Sequence, residues 1–272
     1  MRELNLERCL DKVRQDNPLT LSITNQVTIS ECANGLLAIG ASPVMSDDPA
    51  DAEALAGLAA ATVLNIGTIN VHQFNVMLAA GRAARQSGRP IVFDPVGVGA
   101  TMERRKYAGQ IISQLTPKII RGNFSEIRAL AGLTFEQKGV DSADAEDANG
   151  VAAVAEALAG RLQCVVAVTG VTDVVASEHE TFFIDGGSPL LTKVTGTGCL
   201  LSALVGAYAG ANQDDLTAGT AAAMAHLALA GERAAGGLNH MDSLGSFRVK
   251  LFDHLALMTG ADLGKNAEVR KK

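Results

Sequence analysis

Val194-Thr195-Gly196-Thr197-Gly198-Cys199 runs straight into Leu200-Leu201-Ser202-Ala203-Leu204-Val205-Gly206-Ala207-Tyr208, so a Gly/Thr turn opens directly onto an apolar, helix-forming stretch. The first amides of a helix have no intrahelical partners, and its aligned peptide dipoles put partial positive charge at that end. Glycines let an anion approach the backbone closely, so Gly196 to Cys199 reads as a pocket for a phosphate or a developing oxyanion. A hydroxyl (Thr197) and a thiol (Cys199) share the turn. The same pattern suits a plain loop before a buried helix. No Gly-Lys-Ser/Thr follows the glycines, which excludes a Walker A loop.

Other polar residues fall where chemistry needs them. Thr62-Val63-Leu64-Asn65-Ile66, Pro90-Ile91-Val92-Phe93, Lys118-Ile119-Ile120 and Cys164-Val165-Val166-Ala167-Val168 read as strands buried on both faces. They close with Asn65-Ile66-Gly67, Asp94-Pro95-Val96-Gly97, Arg121-Gly122-Asn123 and Thr169-Gly170. In open α/β sheets ligands bind beyond the carboxyl ends of the strands. Here those ends collect an acid, an arginine, amides, a hydroxyl and glycines, a set suited to a polyanion with a metal.

Magnesium takes oxygen ligands and keeps several waters, so one or two carboxylates suffice beside a nucleotide's phosphates. Asp94 and Glu126 are the candidates. Asn123-Phe124-Ser125-Glu126 equally fits an N-cap closed by a capping box. Arg121, ending a buried strand, needs an anionic partner: a nucleotide phosphate or a structural carboxylate. The five histidines form no ligand pattern, and Ser202 reads as helix packing.

The elements that position these residues follow from periodicity. Helical spacing runs over about 70–87, 101–115, 123–132 and 142–161, between the strands. That alternation implies right-handed βαβ crossovers and a doubly wound α/β sheet. Val174-Val175-Ala176 and Thr181-Phe182-Phe183-Ile184 suit an antiparallel hairpin at its edge. After residue 198 the chain reads as helix over 199–209, 215–235 and 244–259. With no linker, repeat or low-complexity tract, residues 1–272 read as one domain.

Composition narrows the function further. Of 272 residues 47% are apolar and 4% aromatic, with no Trp, enough for a substantial core. A net charge of −6 and a pI near 5.4 argue against nucleic acid as the main partner. The basic clusters Arg104-Arg105-Lys106 and Arg270-Lys271-Lys272 read as solvated surface. Four scattered cysteines, Cys9, Cys32, Cys164 and Cys199, fit a reduced, cytoplasmic protein. The N-terminus reads as the start of an amphipathic helix rather than a signal peptide, and no apolar run reaches membrane-spanning length.

With these motifs in hand, the chain resembles the ribokinase-like superfamily and, within it, the hydroxyethylthiazole kinases. The resemblance rests on Leu37-Ala38-Ile39-Gly40-Ala41-Ser42-Pro43-Val44-Met45, Leu64-Asn65-Ile66-Gly67-Thr68 and Phe93-Asp94-Pro95-Val96-Gly97-Val98-Gly99-Ala100. Ile120-Arg121-Gly122-Asn123-Phe124-Ser125-Glu126, Leu191-Thr192-Lys193-Val194-Thr195-Gly196-Thr197-Gly198-Cys199 and Gly245-Ser246-Phe247-Arg248-Val249 complete it. Together these segments span about residues 18–260.

The resemblance implies a three-layer α/β/α fold with a mostly parallel sheet. It implies ATP-dependent phosphorylation of the primary alcohol of 4-methyl-5-(2-hydroxyethyl)thiazole, a step of thiamine salvage, with Mg2+. It also implies a homotrimer with active sites near subunit boundaries. Met45 and Gly196 would meet the thiazole, with Asn25 and Gly67 nearby. Arg121 and Thr169 would touch ATP, Asp94 and Glu126 would organise magnesium, and Thr197, Gly198 and Cys199 would form the catalytic turn. The wider superfamily usually places Asp as general base where this chain and the thiazole kinases have Cys199. A helix N-terminus lowers a thiol's pKa, which favours a thiolate there; positioning of the alcohol is the alternative role.

Two other readings keep the fold. The alcohol could be a different vitamin precursor such as a hydroxymethylpyrimidine, or the protein could be a nucleotide sensor without turnover. Missing Gly-x-Gly-x-x-Gly in the first βα turn disfavours an oxidoreductase.

Overall fold

The computed structural model describes residues 4–134 and 147–272. Its centre is a nine-stranded sheet in the order β2-β1-β3-β4-β5-β6-β7-β8-β9. The strands are β1 (Leu19–Ile23), β2 (Ser42–Val44), β3 (Ala61–Asn65), β4 (Ile91–Asp94), β5 (Ile119–Asn123), β6 (Val165–Thr169), β7 (Asp173–Ala176), β8 (Thr181–Asp185) and β9 (Glu268–Lys271). β1 through β6 pair in parallel; β7, β8 and β9 are antiparallel. The parallel register sets Asn65 opposite Asp94 and Asn123 opposite Thr169, so the polar strand ends form one row.

The helices are α1 (Leu6–Asp16), α2 (Ile29–Ala38), α3 (Pro49–Leu58), α4 (Val71–Gln86), α5 (Met102–Leu115), α6 (Phe124–Thr134), α7 (Ala148–Leu162), α8 (Thr197–Ala211), α9 (Leu216–Gly236), α10 (Leu244–Leu257) and α11 (Gly260–Asn266). Alternate residues along each strand enter opposite cores. Val63, Val92, Ile119 and Val165 pack with residues of α1, α2, α8, α9 and α10. Leu64, Phe93, Ile120 and Val166 pack with residues of α3 through α7. This is the three-layer arrangement the pattern implies. Among the described residues no helix is long and apolar enough to cross a membrane.

α8 is apolar all round because it is buried all round, from Leu200 to Ala209. Gly206 brings it down onto the sheet: a Cβ there would stand 2.4 Å from Val63 Cγ2. That close approach aims the helix's N-terminus at the row of polar strand ends.

Three strands escape a reading by apolar runs. β1, Leu-Thr-Leu-Ser-Ile, alternates as if half exposed, yet Thr20 and Ser22 are fully buried. β2 has only three residues and carries a proline. β9 holds the basic residues expected as solvated surface; they form an edge strand, with Arg270 4.1 Å over the Phe183 ring and Lys271 paired with Glu180 at 2.7 Å. A charged edge also discourages pairing with another chain. Helix α7 starts at Ala148, and the earlier part of the expected 142–161 helix, residues 142–146, lies outside the described residues.

The helical layer over α8 is locked by a buried polar pair. Tyr208 Oη and His226 Nδ1 are 2.8 Å apart, and His226 Nε2 lies 3.1 Å from the Leu255 carbonyl oxygen. The ring is therefore neutral, donating to Leu255 and accepting from Tyr208. Burial lowers its pKa from 6.5 to about 3. Between those values the unfolded chain binds one more proton than the native state, so stability falls as pH drops below about 6.5. Denaturant unfolding is expected to show this group alone contributing about 2 kcal/mol of loss by pH 5. His226→Gln, which can keep both hydrogen bonds, should flatten that part of the profile. An unchanged slope would show the acid sensitivity to come from elsewhere.

Candidate active site

The carboxyl ends of β1, β3, β4, β5 and β6 meet the N-terminus of α8, and the polar side chains there form one connected network. Asp94 is fully buried. Its Oδ2 accepts from Asn65 Nδ2 and from Ser202 Oγ, both at 2.7 Å, and lies 3.8 Å from Arg121 Nη1. Its Oδ1 is buried with no partner. Burial raises the carboxyl to about 6, against the pull of Arg121 and the two hydrogen bonds.

From Asn65 the network runs to the thiol. Asn65 Oδ1 accepts from Asn25 Nδ2 (3.1 Å) and from the Gly67 amide (2.9 Å), and Asn25 Nδ2 also lies 3.2 Å from Cys199 Sγ. Asn25 Oδ1 holds the turn into α2 by accepting from the Val27 and Thr28 amides, both at 3.1 Å. Gly67 has to be small here, because a Cβ would stand 2.8 Å from Asn25 Nδ2.

Cys199 departs from the expectation of a depressed pKa. Burial, and next the Asp94 charge, push the thiol up, outweighing hydrogen bonds from Thr28, Asn65 and Asn25. The helix N-terminus is present, but the site is too enclosed and too close to a carboxylate to favour a thiolate.

The turn itself is built for close approach. Gly196 caps α8 at φ +93°, and a Cβ there would meet Thr28 Cγ2 at 2.6 Å, so only glycine fits. Thr197 Oγ1 donates to the Leu191 carbonyl oxygen at 2.8 Å, holding the turn to the preceding 3-10 helix. Arg121, mostly buried, donates from Nη1 to the Gly198 carbonyl oxygen and from Nη2 to Thr169 Oγ1, both at 3.0 Å. Its Nε is buried without a partner. Arg121 thus ties β5 and β6 to the start of α8.

Glu126 shows the capping geometry that the Asn123-x-x-Glu126 spacing allows. Its Oε2 accepts from the Asn123 amide (2.9 Å), while Asn123 Oδ1 accepts from the Glu126 amide (3.0 Å). Its Oε1 accepts from the Gly97 amide at 2.8 Å. Each carboxylate oxygen retains acceptor capacity. Among the described residues no three or more His, Cys, Asp or Glu side chains gather as a metal cage. The unpartnered Asp94 Oδ1 still suits a hydrated magnesium ion, which needs only one or two carboxylates.

Two cavities flank this network. One, about 690 Å³, is lined by Arg121, Asn123, Thr169, Asp173, Thr197 and Gly198 at a polar end and by Leu201, Met224 and Leu227 elsewhere. The other, about 510 Å³, is lined by Met45, Val27 and Ile29 with Thr24, Thr68 and Gln73. Of the substrate-side residues Met45 lines the smaller cavity, while Asn25 and Gly67 belong to the network between the two. Arg121, Thr169, Thr197 and Gly198 all face the larger one.

Three residues, Ser202, Asp173 and Arg104, escaped the sequence reading of the site, and Asn65 stood there among the polar strand ends without a role of its own. Asn65 and Ser202 hold Asp94. Asp173 enters the larger cavity, its carboxyl raised to about 6 mainly by burial while Oδ1 accepts from the Gly170 amide at 2.9 Å. Arg104, expected on solvated surface, donates to the carbonyl oxygens of Ile66 (2.9 Å), Val96 (2.5 Å) and Gly67 (2.7 Å), joining the loops after β3 and β4. Asn65 carried the same signal as Asp94, a polar residue closing a buried strand.

A Cβ on Gly198 would stand 3.0 Å from Arg121 Nη1. Gly198→Val is therefore expected to displace the guanidinium and obstruct anion approach, lowering kcat on the order of 10²-fold. Steady-state kinetics on the folded variant check this, and near-native turnover would remove the turn from the mechanism.

The fold and this site define a ribokinase-like kinase. A ribokinase-like superfamily protein from Enterococcus faecalis superposes with a TM-score of 0.61 over 90% of this chain and 93% of its own, at 14% identity. The hydroxyethylthiazole kinase family model matches residues 10–260. A hydroxyethylthiazole kinase from Methanosphaerula palustris is 40% identical over 98% of both chains, and one from Actinobacillus succinogenes is 41% identical over 96% of this chain and 97% of its own. The hydroxyethylthiazole kinase structure from Pyrococcus horikoshii aligns with a TM-score of 0.88 and 36% identity, over 98% of each chain. This chain belongs to the hydroxyethylthiazole kinase family.

Proposed function

We infer that this protein transfers the γ-phosphoryl group of ATP to the primary alcohol of 4-methyl-5-(2-hydroxyethyl)thiazole, forming the monophosphate and ADP. The observation that carries this reading is the placement of Cys199, Asn25, Asn65 and Asp94 as one hydrogen-bonded network beside the anion turn, between a larger, polar-ended cavity and a smaller one lined by Met45. ATP occupies the larger cavity, with Arg121 and Thr169 at its phosphates. The thiazole occupies the smaller, against Met45, with its alcohol directed toward the Asn25, Gly67 and Gly196 end of the network.

The alcohol oxygen attacks the γ-phosphorus, the bond to the bridging oxygen breaks, and the alcohol proton is released. Such transfers depend on positioning and charge neutralisation more than on covalent help. The α8 amides, Thr197 and Gly198 receive the equatorial oxygens, Arg121 offsets their charge, and Cys199 orients the alcohol. Asp94 and Glu126 would hold Mg2+, which when bound neutralises the β- and γ-phosphates. The working unit is the single domain 1–272, read as cytoplasmic. The homotrimer is what the family resemblance implies, and Val27 and Ile29, exposed at 64% and 38% on the rim of the thiazole cavity, are apolar surface that a neighbouring subunit would cover.

The test is incubation with ATP, MgCl2 and the thiazole alcohol, following the monophosphate by mass spectrometry. Transfer to a hydroxymethylpyrimidine instead would change the substrate, and ATP binding with no ADP formed would overturn the kinase reading.

A further inference from the structure

Ser202, which reads from sequence as packing, has an unusual set of bonds for a serine inside a helix. A buried helical serine ordinarily returns its hydroxyl to the carbonyl four residues back. For Ser202 that carbonyl belongs to Gly198, and Arg121 Nη1 already occupies it at 3.0 Å. Ser202 Oγ instead donates 2.7 Å across the interface to Asp94 Oδ2, 108 residues earlier in the chain. Asn65 Nδ2 donates to that same oxygen at 2.7 Å, and Arg121 Nη1 lies 3.8 Å from it.

Three groups thus converge on Oδ2 and none on Oδ1, although both oxygens are fully buried. A bare buried carboxylate oxygen is costly, and one that persists calls for a partner. Two short hydrogen bonds from opposite elements, β3 and α8, fix the carboxyl's rotation about its own axis. Without Ser202 it could turn, and either oxygen could take the Asn65 bond.

We propose that Ser202 is a positioning residue that, with Asn65, holds Asp94 so that Oδ1 is presented to the divalent cation of the bound nucleotide. This rests on the kinase reading above. Groups that orient a metal-binding carboxylate typically change metal affinity or activity about 10–100-fold when removed.

The experiment compares native protein with Ser202→Ala and with Ser202→Cys, which fills the hydroxyl's place but donates weakly. Mn2+ binding is measured by electron paramagnetic resonance in the presence of a non-hydrolysable ATP analogue, alongside kcat and the KM for the thiazole alcohol. Both variants are expected to bind Mn2+ about tenfold or more weaker and to lose kcat in parallel. The alcohol KM should stay within about twofold of native. Either variant, folded and binding Mn2+ within twofold of native, overturns the proposal. So does an equal weakening of metal, nucleotide and alcohol, which would mark Ser202 as packing. Absence of turnover in the native protein would instead sink the kinase reading, whereas native turnover with unchanged Ser202 variants sinks only this inference.

Discussion

Asp94→Asn is expected to give a protein that is more stable than native at pH 8 and almost without activity. Asp94 is fully buried, and burial lifts its carboxyl to about 6 despite Arg121, Asn65 and Ser202. A group whose folded pKa lies above its unfolded value favours the native state below the unfolded pKa, and loses that contribution as pH rises through the folded one. The charged side chain therefore weighs against folding above about pH 6, by on the order of 2–3 kcal/mol. Asparagine keeps an oxygen for Asn65 and Ser202 and removes the charge. Its stability advantage should be present at pH 8 and absent near pH 3.5. Turnover should fall on the order of 10²–10³-fold, because the neutral amide no longer offers an anionic oxygen at the Oδ1 position. Thermal melts at the two pH values, with kcat at pH 8, decide the matter. A variant less stable than native at pH 8, or one retaining more than about a tenth of native kcat, would mean the carboxylate serves the fold rather than the reaction.

That trade-off also shows what a sequence can disclose. Asp94, Arg121 and Thr169 could be found because a parallel sheet buried on both faces writes its strands as unbroken apolar runs, and a polar residue closing such a run stands out. Asn25 closes no such run. Its strand, Leu19–Ile23, alternates polar and apolar residues although Thr20 and Ser22 are buried. Ser202 was invisible for another reason: its partner is 108 residues away, and its neighbours along α8 are all packing residues. Arg104 sits in a basic run that composition alone assigns to solvent, and only the loops folding round it show three carbonyls converging on the guanidinium. The glycines were the most legible element. The positive φ of Gly196 and the tight contacts of Gly67 and Gly198 are constraints that few other residues satisfy.

Cys199 is where local sequence logic and the folded environment disagree. Its place at the start of α8 argues for a thiolate, yet enclosure and the nearby Asp94 carboxylate raise the thiol above its ordinary range. At neutral pH the side chain is therefore a neutral thiol, 3.2 Å from Asn25 Nδ2. A neutral thiol is a poor proton acceptor but can still place an alcohol oxygen against the anion turn. Cys199→Ala is thus expected to lose less than about 10²-fold in kcat, below the upper range for an obligatory general base. An obligatory thiolate predicts the contrary: a native kcat that keeps climbing with pH beyond 9, because the ionised fraction rises with each unit, and an alanine variant without that climb. Cys199→Asp adds a second discriminating arm. Asn25 can donate to a carboxylate as it does to sulfur, but Asp94 would then have a like charge for a neighbour, which raises the new carboxyl's pKa toward the working range of a base. The aspartate variant should match or exceed native kcat near pH 8 and fall away on acidification sooner than the native protein does. Measuring kcat for native, alanine and aspartate forms from pH 6 to 9.5 separates the roles. A loss beyond about 10³-fold in both variants with the fold intact would make the thiolate essential and overturn the positioning role, because neither deleting the sulfur nor replacing it with a stronger acceptor would then preserve the reaction.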